Sequence, residues 1–366
     1  MKFHCPRREF YDVASQAAQA LGTRSPMQVL QNLLLDAQDG TLRIVGSDGE
    51  LWIERSTEAV VTSPGQALVP GRLLTDLLGK LPDGDVMVEW SGTQIQVTDG
   101  GSTYQLVAAN AQDFPSPPEI SPDRRLELPI GLFRDAVDSV AFAVAPTAMD
   151  RPAISGILFL LEEDQLTLVA TDTHRLAVRR AKGVSGEGTI QVVIPEKAVR
   201  AVKALNAEDS TPITLHIDEN LLSVSSGPAT ITSMLINGPF PNWQRVVPQE
   251  HTRSWSIETD KLREVVGRAL LVARESANRV KFHGNGQVIT LLARGEQGEA
   301  NEVVEAVTSN GDVDIAFNGK YVQDALTPIK GPGVRVEITE SSRPAIFRSA
   351  DDDEGYLCVI MPMALA

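Results

Sequence analysis

Cysteine is nearly missing from this 366-residue chain: only Cys5 and Cys358 occur, near its two ends. So few thiols fit a reducing compartment, and a cytoplasmic location is expected. Histidine is almost as rare. His4, His174, His216, His251 and His283 form no pair at ligand spacing, and no Cys/His pattern of the zinc type occurs, so neither metal nor cofactor is expected. No run of about 18 apolar residues is present, which excludes an apolar spanning helix. No apolar stretch follows Met1-Lys2-Phe3-His4, which excludes a secretory leader of the usual form. There is no Walker loop, no dinucleotide glycine fingerprint and no Gly-x-Ser-x-Gly. Positive charge is also short: 33 Lys and Arg face 48 Asp and Glu, a net −15. Spread evenly, that charge would repel nucleic acid.

What is present is an ordinary globular balance, 42% apolar and 22% charged, in a chain long enough for two or three domains. It is also repetitive. The alternating run Thr41-Leu42-Arg43-Ile44-Val45-Gly46-Ser47-Asp48 returns as Gln165-Leu166-Thr167-Leu168-Val169-Ala170-Thr171-Asp172, and more weakly as Val288-Ile289-Thr290-Leu291-Leu292-Ala293. Leu68-Val69-Pro70 returns as Val193-Ile194-Pro195, with Ala316-Phe317-Asn318 in third place, and Phe114-Pro115 returns as Phe240-Pro241. Several matches in one order at one spacing define three copies of a single unit.

Each copy opens with a helical stripe. Phe10, Val13, Ala14, Ala17, Ala18 and Leu21 share the spacing of Leu262, Val265, Val266, Ala269, Leu270 and Ala273, and Phe133, Ala136, Val137, Val140 and Val144 form a similar face. The patterns predict helices over 7–21, 72–81, 129–145, 196–206, 259–274 and 320–330. The rest alternates with period two between short turns, which implies antiparallel sheet. The fold class is therefore α+β, two helices packed on antiparallel sheets in each copy. Proline-bearing linkers divide the chain into 1–120, 126–248 and 252–366. Asp172 and His174 stand two apart on one strand face, but Asp48, in the matching place, has no histidine beside it. The aspartate reads as a shared turn residue, and no catalytic residue is assigned.

Ala170-Thr171-Asp172-Thr173-His174-Arg175-Leu176-Ala177 and Val359-Ile360-Met361-Pro362-Met363 carry a family resemblance. Phe240-Pro241-Asn242-Trp243-Gln244-Arg245-Val246 and Ala316-Phe317-Asn318 support it. Over its whole length the chain resembles the beta subunit of bacterial DNA polymerase III. The resemblance implies three tandem clamp domains, and two chains joined head to tail as a homodimer, a closed six-domain ring with helices lining the hole. It implies a processivity factor that encircles duplex DNA and does no chemistry, exonuclease activity included. Its partners would be the polymerase catalytic subunit, the clamp loader and other proteins carrying clamp-binding peptides. The other reading of the same fold is a protein-binding scaffold that does not encircle DNA.

Charge segregation agrees with a DNA-lined hole. The six predicted helical segments together carry +5, leaving −20 on the remainder. Arg24, Arg72, Lys197, Arg200, Lys203, Arg263 and Arg268 are the expected DNA-facing residues, each also readable as a solvated helix charge. The resemblance places a partner-peptide pocket at Ile154, Thr171, Thr173, His174, Arg175, Leu176, Pro241, Arg245, Val246, Val359, Ile360, Met361, Pro362 and Met363. Arg175 and Arg245 are expected to hold peptide carbonyls or a carboxylate. Without the resemblance, Leu176, Ile360 and Met361 read as core at a sheet end. Thr173 stands where the family often has Gly or Ser, which narrows the groove, and Ala364-Leu365-Ala366 lacks the basic residue often found there. The implied dimer contact sets Tyr104 and Leu106 against Leu270 and Leu271, with Glu299 and Glu302 pairing a base such as Arg72. Tyr104 and Leu106 also read as inward strand positions.

Overall fold

The helical stripes fold as amphipathic helices, each shorter than its pattern. The computed structural model describes residues 1–22, 27–146, 150–351 and 355–365. Its six described α-helices are α1 (Arg7–Ala17), α2 (Gly71–Leu78), α3 (Ile130–Asp138), α4 (Glu196–Lys203), α5 (Thr259–Ala273) and α6 (Gly319–Leu326). α1 buries Phe10, Val13, Ala14 and Ala17, and α5 buries Leu262, Val265, Val266, Ala269, Leu270 and Ala273, so the periodicity marked the core faces correctly. The early endings have local causes. α3 stops where the Ser139 hydroxyl donates to the Asp135 carbonyl at 2.7 Å and Val140 leaves helical geometry. α6 stops before Pro328, which has no N–H to continue the ladder. At its start the Asn318 side chain accepts from the Lys320 N–H, an ordinary N-cap.

The chain forms two compact units. The first comprises Met1–Phe133, Ser185–Gly188 and Lys197–Leu235. It holds a five-stranded sheet, from Val60–Ser63 at one edge to Ser102–Val107 at the other, and a nine-stranded sheet. In the nine-stranded sheet, strand Leu51–Glu58 of the first repeat pairs with Ala229–Met234 of the second, so one sheet continues across a repeat boundary. α1 presses on this sheet so closely that a Cβ at Gly46 would collide with the Ala17 carbonyl, which is why glycine stands there.

The second unit comprises Arg134–Val184, Thr189–Glu196 and Ile236–Ala366. Its twelve-stranded sheet is joined across the repeat boundary by Arg175–Lys182 pairing with Tyr356–Ile360. Every described strand pair in both units is antiparallel, as short turns between successive strands require.

Candidate functional site

Strand register in the second unit brings two transverse rows of side chains to one face of the sheet. The first row runs Thr171, Leu176, Val359, Ile346, each opposite the next. The second runs Leu158, Val169, Val178, Leu357 in the same way. The rows lie two residues apart on each shared strand, so they share a face. Leu158, Val169, Leu176, Val178, Ile346, Leu357 and Val359 pack into one cluster with Trp243, and Ile236, Phe240 and Val247 close over part of it. Its open margin is formed by Met361, 40% exposed, and Val246, 42% exposed.

The turn Asp172–Arg175 shapes this margin. One Asp172 carboxylate oxygen accepts the N–H groups of His174 and Arg175, each at 3.0 Å. Asp48 does the same for Glu50 and Leu51 at 2.9 and 2.8 Å. The repeated aspartate is thus a turn former, and Asp172–His174 is no acid–base pair. The Thr171 hydroxyl donates to the Arg175 carbonyl at 2.7 Å, and Met361 N–H donates to the His174 carbonyl at 2.9 Å, tying the chain terminus to the turn. Thr173 takes φ +76°.

Several expected pocket residues take a different part. Ile154, Thr171, Leu176, Val359 and Ile360 are buried; Ile360 is 0% exposed and faces away from the two rows, so it is core. Arg175 was expected to hold a ligand, and the structure corrects this. Its guanidinium donates to Asp172 at 3.0 Å, to Asp324 of α6 at 2.6 Å and to the Phe142 carbonyl, and it lies 4.3 Å from the centre of the Tyr321 ring. Burial alone would lower its pKa, but the hydrogen bonds and charges of Asp324 and Asp172 outweigh that and raise it. Arg175 is therefore a clasp between the turn and α6. His174, Pro241, Arg245, Val246 and Met361 are exposed, with Pro362 and Met363 half-buried. The sequence reading missed Trp243 as cluster core, and it missed Ile346 and Val178. The period-two spacing of Leu176 and Val178 was the available signal.

The first repeat has the same cluster, filled from within. Val45, Leu68 and Phe114 stand where Val169, Val193 and Phe240 stand in the second, but Trp52 replaces Leu176. Its indole N–H donates to the Pro115 carbonyl at 3.0 Å, so the larger ring occupies the space that leucine leaves open.

The basic residues divide as sharply. Lys197 bonds Asp48 at 2.7 Å and Glu50 at 2.8 Å. Arg263 pairs with Asp260 and donates to the Leu326 carbonyl at 3.0 Å. Arg268 grips Glu302 with two hydrogen bonds, 3.0 and 2.7 Å, and this bonding lowers the Glu302 pKa. Those three cations are already matched by carboxylates, contrary to expectation. Arg72 and Arg200 are exposed and Lys203 is half-buried; Arg24 lies outside the described residues. Of the expected interface residues, Leu106 and Leu270 are buried in their own units and Tyr104 is partly so, whereas Leu271 is exposed. Glu299 pairs with Arg294 at 3.0 Å. Ser102–Val107 is an edge strand, and within Gly298–Ser309 the part up to Glu305 pairs on one side only.

An apolar row open at one margin defines a protein-binding scaffold. Among the described residues no group of three His, Cys, Asp or Glu is placed to hold a metal ion, and no helix is long and apolar enough to cross a membrane. Family models describing the N-terminal, central and C-terminal domains of the DNA polymerase III beta subunit match residues 1–118, 127–242 and 244–364. The beta sliding clamp of Staphylococcus aureus is 28% identical over 365 residues, covering 96% of this chain and 97% of the relative. The sliding clamp from Bacillus subtilis superposes over the whole of both chains with TM-score 0.95 at 25% identity. A Pseudomonas aeruginosa clamp bound to griselimycin does so with TM-score 0.94 at 26% identity. The chain belongs to the DNA polymerase III beta subunit family, the bacterial sliding clamps. Its role is that of a polymerase processivity factor, an accessory subunit without catalysis of its own.

Proposed function

We propose that two copies of this chain join head to tail, as domains 1–120, 126–248 and 252–366 of each, into a closed cytoplasmic ring around duplex DNA. The open apolar row edged by Met361 and Val246 then receives linear peptides of the polymerase catalytic subunit, the clamp loader and other replication and repair proteins. That row is the observation that carries the reading: an apolar surface with a flexible methionine at its margin suits several ligands in turn. Edge strand Ser102–Val107 meets the singly paired part of Gly298–Ser309, which removes two exposed edges at once. Leu271, Val107 and Val303 are exposed apolar residues suited to that contact. Arg72, Arg200 and Lys203, with Arg24, supply loose and salt-sensitive attraction to phosphates, which permits sliding.

The test is retention on circular and linear duplex with an active clamp loader and ATP. Retention on circles that is lost on cutting them is expected. Equal retention on both forms overturns encirclement, and no retention on either favours the non-encircling scaffold.

A further inference from the structure

The two rows that form the partner groove change character midway across the sheet. Past Ile346 the first row continues to Glu337 and Ser254. Past Leu357 the second continues to Arg348, Arg335 and Ser256. Arg348 and Arg335 are thus directly opposite each other, a like-charge pairing that is normally unfavourable. One carboxylate answers both. Glu337, with its side chain 7% exposed, stands 3.2 Å from Arg348 and 3.3 Å from Arg335. His251 lies beside them, its Nε2 3.2 Å from an Arg335 nitrogen. Two fixed positive charges therefore face one negative charge, and the guanidinium-bearing side chains of Arg335 and Arg348 keep 42% and 29% of their surface. This local surplus adjoins Ile346 and Leu357, on a chain whose net charge is −15.

We propose that the charged half of this face is an anion subsite of the partner groove, selecting peptides that carry Asp or Glu beside the apolar segment seated on Leu176, Val359 and Ile346. The inference rests on the reading of that row as the peptide groove. Charge complementarity supports it. A carboxylate approaching most of this acidic protein is repelled, whereas here it meets two planar donors that one buried carboxylate does not neutralise. Apolar contact supplies the anchor, and the arginines decide which anchored peptides stay.

The experiment uses three labelled synthetic octapeptides with the same Leu and Phe core and Asp-Glu, Gln-Asn or Lys-Arg flanks, titrated with the full-length protein by fluorescence anisotropy. The acidic peptide is expected to bind about fivefold more tightly than the neutral one, and the basic peptide more weakly, with the spread shrinking at high salt. Arg335→Gln with Arg348→Gln should erase the spread while leaving neutral-peptide affinity unchanged. Glu337→Gln should widen it, and decides the matter if the double variant fails to fold. Equal wild-type affinities, or a spread that Glu337→Gln leaves unchanged, overturn the anion subsite while the groove stands. Failure of all three peptides to bind overturns the groove reading itself, and the subsite with it.

Discussion

Thr173 and Gly49 hold one place in two copies of the same turn, each following an aspartate that accepts two backbone N–H groups, with φ of +76° and +92°. Glycine takes such a conformation without strain, whereas a β-branched residue does not. Thr173→Gly should therefore stabilise the protein by about 0.5–1 kcal/mol, the strain relieved less the added freedom of the unfolded chain. Gly49→Thr should destabilise by about 1–2 kcal/mol. Urea unfolding midpoints check both, and a loss of stability in Thr173→Gly would mean that the threonine side chain makes contacts outweighing its strain.

Arg175 is a clasp, so removing it should act on stability first. Arg175→Ala leaves Asp172 and Asp324 facing each other's charge without their shared cation, and a loss of about 3 kcal/mol is expected. Arg175→Lys should recover only part, because an ammonium cannot reproduce the planar fork that reaches Asp172, Asp324 and the Phe142 carbonyl together. Unchanged thermal stability in Arg175→Ala would return the residue to the ligand-binding role.

The groove margin and the sheet core should separate by mutation. Met361→Ala with Val246→Ala removes exposed surface and should weaken peptide binding with a stability change within about 0.5 kcal/mol. Ile360→Ala, one residue away but fully buried, should destabilise by about 2–5 kcal/mol. Peptide titration paired with denaturation separates the two effects, and intact peptide affinity in the double variant rules out the margin.

The ion pairs predict which cations touch DNA. Arg72→Gln with Arg200→Gln should flatten the slope of log affinity against log salt by about 1–2 in each protomer, near 0.9 for each phosphate no longer neutralised. Lys197→Gln should leave that slope almost unchanged, since Asp48 and Glu50 already hold the ammonium. An equal effect from Lys197→Gln would show that the pair opens on DNA.

Both thiols should be inert in the folded protein. Burial, reinforced by Glu9 and Asp85, pushes Cys5 from near 9.0 up to about 12, and burial does the same for Cys358. Iodoacetamide at pH 8 is expected to label neither until urea is added. Above about pH 9 the unfolded chain gives up thiol protons that the folded one keeps, so stability should fall as pH rises from there toward 12.

How much of this was readable in advance follows from the range of each interaction. The repeats, the apolar stripe of every helix, the antiparallel sheets and the turn role of Asp48 and Asp172 are all legible in the order of the residues, because those patterns act over a few positions. So are the motifs of the family. Helix ends were less readable, since single residues such as Ser139 and Pro328 override a continuing stripe. Tertiary structure alone decided which charges are occupied. Arg175 meets Asp324 and Lys197 meets Asp48 across 149 positions, and Arg268 meets Glu302 across 34. No local pattern encodes such pairs, because they form only when strand register and helix packing bring distant segments within hydrogen-bonding reach. The same register set Arg335 opposite Arg348 and left Leu176, rather than a tryptophan, beneath the open groove.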